Sequence, residues 1–187
     1  NTTGDHGIEL GGSVNSTISN NEIIEAKNNG INVNNSNGVQ IDTNQVDTAK
    51  NGIEVTNSGK SGTQDTNIVN NTIGLVGQNT ISADGIFVDS NGESGVNIRN
   101  NTINNAGDDG IDVENTGELE VGGANLADRN TIVDADSDGI EVSNSASSLI
   151  QNNLVNYAGD DGIDVSSSAN SDILDNVIDE SGDDGIR

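Results

Sequence analysis

The chain repeats itself. The tetrad Gly-Ile-x-(Val/Leu) starts at Gly7, Gly30, Gly52, Gly85, Gly110, Gly139 and Gly162, and Gly185-Ile186 opens an eighth copy. Successive starts lie 23, 22, 33, 25, 29, 23 and 23 residues apart. A second marker, Asn-x-(Ile/Val), starts at Asn21, Asn44, Asn71, Asn101, Asn130, Asn153 and Asn176, always between two copies of the first. Two interleaved markers in a fixed order mean one structural unit used again and again, and each unit is too short to bury an apolar face alone.

Within each unit, short runs such as "GIDV", "VNIRN" and "NTI" alternate apolar and polar residues. Gly, Asn, Asp and Ser separate them. Period two between turn residues reads as short strands, and no stretch carries an i, i+3, i+4 apolar stripe long enough for a helix. Parallel stacking puts Ile8, Ile31, Ile53, Ile86, Ile111, Ile140, Ile163 and Ile186 in one interior file. With strands about 4.8 Å apart, seven such coils make a rod roughly 34 Å long.

A coil of this length, an Asn in a tight turn before x-Ile, and Gly-Ile-x-Val strands resemble the right-handed parallel β-helix of the pectin-lyase-like superfamily. The resemblance spans nearly the whole chain. It implies an all-β fold: a single right-handed parallel β-helix over residues 1–187, about seven coils of 22–25 residues with loop insertions. It does not fix an activity, because that fold carries lyases, hydrolases, epimerases, tailspikes and adhesins alike.

On that fold the Asn column has a structural reading: stacked amides bond one another and the turn backbone above and below. The longer intervals mark insertions around Thr56–Asn67, Gly74–Thr80 and Glu114–Arg129, where a solenoid commonly carries function.

Composition narrows the partners. Against 6 Lys+Arg stand 31 Asp+Glu, a net charge of −25. Such a surface repels nucleic acid and anionic membranes and attracts cations. High charge with one Phe and one Tyr would ordinarily mean disorder, but the periodicity argues for order. There is no cysteine, hence no thiolate metal site, and no apolar run long enough to span a bilayer.

The acids gather before the Gly-Ile strands of the C-terminal half, in "NAGDDG", "DADSDG", "YAGDDG" and "ESGDDG". Asp134, Asp136, Asp138 and Gly139 fit the opening of an EF-hand loop, D-x-D-x-D-G. Its twelfth position is Ser145, where a bidentate Glu is needed, so the stretch is one member of a column rather than an EF-hand.

The column itself is a candidate calcium edge. Asp108, Asp109, Asp136, Asp138, Asp160, Asp161, Asp183 and Asp184 should stack there, with Asp134 nearby. Asp112, Glu141 and Asp164 join them from the outward strand position. Carboxylates on neighbouring coils repel, and a hard cation with oxygen ligands relieves the repulsion. A solvated acidic face is the plainer alternative, and Asp-Gly is also ordinary turn chemistry.

Catalysis finds less support. Family lyases use a basic residue or a Tyr/His pair beside a uronate. Here Lys27, Lys50, Lys60, Arg99, Arg129, Arg187, His6 and Tyr157 are scattered over different coils. Polygalacturonase-type hydrolases carry N-T-D, D-D, G-H-G and R-I-K motifs. "GDDG" resembles the second but occurs three times in one column, "GDHG" is only distantly like the third, and R-I-K is missing. Paired carboxylates suit glycoside hydrolysis only when one has a special environment, which repetition does not give. Phe87 takes the acid's place in one outward slot, an exposed aromatic that could mark a contact surface.

The expected object is therefore a structural or adhesive rod of a secreted or cell-surface protein, filament-forming and stabilised by calcium. Other copies of itself, flanking solenoid repeats or polysaccharide are its expected partners, without nucleic acid or membrane insertion. The regular last coil, "SGDDGIR", suggests that more of the same fold adjoins it. The rival is a polysaccharide lyase, epimerase or hydrolase, or a carbohydrate-binding accessory module.

Overall fold

The computed structural model describes residues 5–58, 65–78, 80–91 and 95–187. Every coil contributes three short strands, one to each of three parallel sheets of seven strands. The first sheet holds the Gly-Ile-x-Val strands, from Ile8–Gly11 through Ile111–Glu114 to Ile163–Ser166. The second runs from Thr17–Ser19 to Asp172–Leu174 and the third from Glu22–Ile23 to Val177–Ile178.

Register follows the sequence repeat. Ile8 pairs with Ile31, Ile31 with Ile53, and so on along the expected file to Ile163, which bridges to Ile186. From Ile31 to Ile163 that file is fully buried. Further files share the interior: Val33, Val55, Val88, Val113 and Val142 of the same strands, Ile18, Ile41, Ile68, Ile98, Val121 and Ile150 from the second sheet, and Ile23, Val46, Ile73, Ile103, Ile132 and Val155 from the third. Branched side chains stacked like on like fill the tube without aromatics. That is why a chain with one Phe and one Tyr still has a dry core.

From Gly7 to Gly162, the Gly of the Gly-Ile pair is required by space, not by backbone conformation. A Cβ on Gly110 would stand 2.6 Å from the Gly139 carbonyl oxygen of the next coil and 2.6 Å from Ile132 Cγ2. Coil and coil approach too closely there for any side chain.

Corners between sheets are held by polar ladders. Between the second and third sheets the Asn column behaves as expected. Asn101 Oδ1 accepts from the Asn71 backbone N–H at 3.0 Å and from Asn71 Nδ2 at 3.0 Å, while its own Nδ2 donates to the Ile68 carbonyl at 2.8 Å. The residue before it supplies the sharp bend: Asn20, Thr43, Asn70, Asn100, Asn152 and Asp175 all have φ near +55°. Such a conformation costs a side-chain-bearing residue about 1 kcal/mol or more, and least for Asn.

Between the first and second sheets a hydroxyl ladder does the same work. Ser13, Thr116 and Ser145 backbone N–H groups donate to Ser36, Ser145 and Ser168 Oγ at 3.0 Å each.

Two insertions differ from expectation. Within Glu114–Arg129, Glu118–Gly122 is a full strand of the second sheet, and only the segment after it, with a short 3-10 turn at Leu126–Asp128, leaves the coil. Half of the Thr56–Asn67 insertion, residues 59–64, lies outside the described residues, and Thr66–Val69 is again a strand. At Gly74–Thr80 the chain does bud outward, closed by an antiparallel bridge between Leu75 and Gln78.

Candidate functional site

The third corner, where the third sheet turns into the first, is built from acids. From Asn51 to Asp161, the residue before the glycine of each Gly-Ile pair points inward and accepts the backbone N–H of its counterpart one coil on. Asp109 accepts from Asp138 at 2.8 Å, Asp138 from Asp161 at 2.7 Å and Asp161 from Asp184 at 2.7 Å. The series starts earlier: Asn51 Oδ1 accepts from the Asp84 N–H at 3.2 Å, and Asp84 Oδ1 from Asp109 at 3.4 Å. It is the counterpart of the Asn and Ser ladders, written with carboxylates. One oxygen of each of these Asp residues serves the backbone, and the second oxygen of Asp161 pairs with Arg187 at 3.4 Å.

Stacking therefore divides each Asp-Asp pair into two roles. Asp109 and Asp161 are buried, while their neighbours Asp108 and Asp160 face solvent. Asp183 and Asp184 are both exposed on the last coil. In "DADSDG" the inward member is Asp138 and the outward slot belongs to Ser137, whose N–H donates to the Asp108 carbonyl at 3.1 Å. Asp136 sits one place earlier than expected, exposed, with its N–H on the Ala106 carbonyl at 3.0 Å. Asp134 belongs elsewhere: it lies in the third-sheet strand Thr131–Ala135, at φ +68°, and accepts from Asn105 Nδ2 at 2.7 Å.

The central strand position is less outward than alternation implies. Asp112 is only 8% exposed, and Glu141 and Asp164 are half-buried. Asp112 stands in register between Phe87 of the preceding coil and Glu141 of the next. Asp112 Oδ1 is wholly buried and has no hydrogen-bond partner.

Three groups bring carboxylate oxygens within 4.8 Å of one another: Asp84 with Asp109 and Asp112, Asp109 with Asp138 and Glu141, and Asp160 with Asp161 and Asp183. Asp108, Asp136, Asp164 and Asp184 stay outside them. Sequence reasoning missed Asp84, although it stands directly before Gly85 and so in the same column. It lacks the doubled acid that drew attention to the others.

Burial sets the electrostatics. It lifts the Asp84 carboxyl to about 6 against the pull of the Asp109 N–H and Lys50, and Asp109 to about 7 against the Asp138 N–H. Asp112 rises furthest, to about 9, by burial first and then by the charges of Asp84, Glu141 and Asp109. Asp138 reaches about 6, and Glu141 is raised as well, again chiefly by burial. At neutral pH this corner must hold protons, or something else positive.

Elsewhere, a shallow cavity of about 480 Å³ lies on the second sheet, lined by Asp65, Asn97, Arg99, Glu118 and Glu120 among others. Arg99 is ion-paired with Glu120. His6 lies on the first coil with Nε2 3.4 Å from Asn32 Nδ2, and Tyr157 is exposed on a third-sheet turn, so neither faces this cavity.

A family model described as a right handed beta helix region matches residues 1–126 and again 61–187. Comparison with curated proteins and with solved structures returns no match.

Proposed function

Because the chain belongs to the right-handed β-helix family, we propose that it serves as a structural and adhesive rod of a secreted or cell-surface protein, its acidic corner stabilised by calcium. Copies of itself or flanking solenoid repeats are its axial partners, in a filament that continues the Ile and Asn columns. One observation supports this reading above the rest. The acids recur at one position on successive coils and accept backbone N–H groups, as the Asn and Ser ladders do at the other corners. Groups used this way hold coils together.

The cavity at Arg99 favours a second reading. Asp65, Glu118 and Glu120 beside a guanidinium and the Asn97 amide would suit a carbohydrate, either bound or cleaved. Incubation with alginate, pectin and neutral polysaccharides separates the two. The rod reading expects no new reducing ends or unsaturated products, and melting in calcium above melting in chelator. Cleavage that disappears in Glu120→Gln would replace it with the enzyme.

A further inference from the structure

Of the three acidic groups, only the first two lack a cation of their own. Asp161 in the third is ion-paired with Arg187 at 3.4 Å, and its companions Asp160 and Asp183 are solvated. Around Asp84, Asp109, Asp112, Asp138 and Glu141 no ion pair forms among the described residues. Lys50 reaches Asp84 only through its field.

We propose that Asp84, Asp109 and Asp112 form a calcium site that clamps two neighbouring coils, and that Asp109 is shared with a second site completed by Asp138 and Glu141 on the next coil. This rests on the reading of the acidic corner as calcium-stabilised and names where the ion sits. Clustering alone would not carry it. The independent observation is Asp112: more than nine-tenths buried, within 4.8 Å of its two companions, with Oδ1 bonded to nothing.

A buried acceptor without a donor costs free energy in any fold. Asp84, Asp109, Asp138 and Asp161 are each given an N–H by the next coil, and Asp112, at mid-strand, is not. All donors are hard oxygens, contributed by the turn before one strand and by the turn and strand of the next coil. That suits calcium, with its variable six to eight ligands, better than magnesium's strict octahedron or the nitrogen- and sulfur-preferring metals. Carboxyls pushed upward by burial would release their protons as the ion enters.

Calorimetry on the whole chain tests this, with calcium and then magnesium as the titrant. The parent is expected to take up about two calcium ions at this corner with release of protons, and magnesium more weakly. Asp112→Asn, which keeps shape and removes charge, should weaken calcium at least about tenfold. The same substitution should leave melting in chelator unchanged or raised, which shows that the variant folds. Asp84→Asn gives the same loss from the preceding coil, and Asp160→Asn with Asp183→Asn leaves binding as in the parent. Calcium affinity unchanged in both Asp112→Asn and Asp84→Asn overturns the proposed site, while the calcium-stabilised corner survives if the Asp160 and Asp183 pair abolishes binding instead. No calcium uptake by the parent overturns both.

Discussion

Asn101→Ala should cost far more than its size suggests. Asn101 is 1% exposed and sits in the middle of the Asn column. Its removal strands the Asn71 backbone N–H, which it holds at 3.0 Å, and deprives the Ile68 carbonyl of its 2.8 Å donor. Asn71 Nδ2 loses one of its two acceptors and keeps the Ile41 carbonyl at 3.0 Å. Two buried polar groups left without these partners cost about 1–3 kcal/mol each, so the expected loss is ~2–6 kcal/mol. That is a large part of a typical domain's stability.

Asn101→Asp should be worse still. It keeps the acceptor but turns an oxygen toward the Ile68 carbonyl and Asn130 Oδ1, and buries a charge. The neighbouring residue is the control. Asn100 is exposed at φ +53°, so Asn100→Ala should cost only about 1 kcal/mol of backbone strain, and Asn100→Gly little or none. Urea unfolding followed by far-ultraviolet circular dichroism measures all four variants. An Asn101→Ala loss below about 1 kcal/mol, or no larger than that of Asn100→Ala, refutes the argument that the ladder holds the coils.

Three further outcomes are expected. Gly110→Ala should destabilise by ~2 kcal/mol or more through the clash with the Gly139 carbonyl, whereas Gly12→Ala, with open space around it, should cost only about 1 kcal/mol for its φ of +66°. In chelator the melting temperature should fall with rising pH. Asp84 and Asp138 at about 6, Asp109 at about 7 and Asp112 at about 9 lie above the ordinary 3.8, so their contribution is full below about pH 4 and is lost as pH climbs through those values. Calcium should flatten that slope, and a metal-free protein most stable at high pH contradicts the account. Glu120→Gln should shift the urea midpoint little, within about 1 kcal/mol, because its ion pair with Arg99 is partly exposed.

The β-helix was legible in the residues alone. Ile-on-Ile register and the Asn ladder follow from periodic apolar positions and turn residues. In a parallel stack, equivalent positions must meet, so a repeat in sequence becomes a column in space. That logic reached the acidic corner but not its inside. It placed Asp136 beside Asp138, where Ser137 stands instead, and it kept Asp134 close, although a third-sheet strand carries that residue away. It took Asp112 for an outward residue, passed over the solitary Asp84, and read the strand Glu118–Gly122 as loop. The Ser and Thr ladder went unseen because single hydroxyl residues in a Ser-rich chain carry no contrast. Column membership is set by counting along one chain, and the sequence determined it. Burial, the choice of which neighbouring Asp turns inward, and the distance between carboxylates depend on what the coils above and below supply, so only the stacked tube decided them.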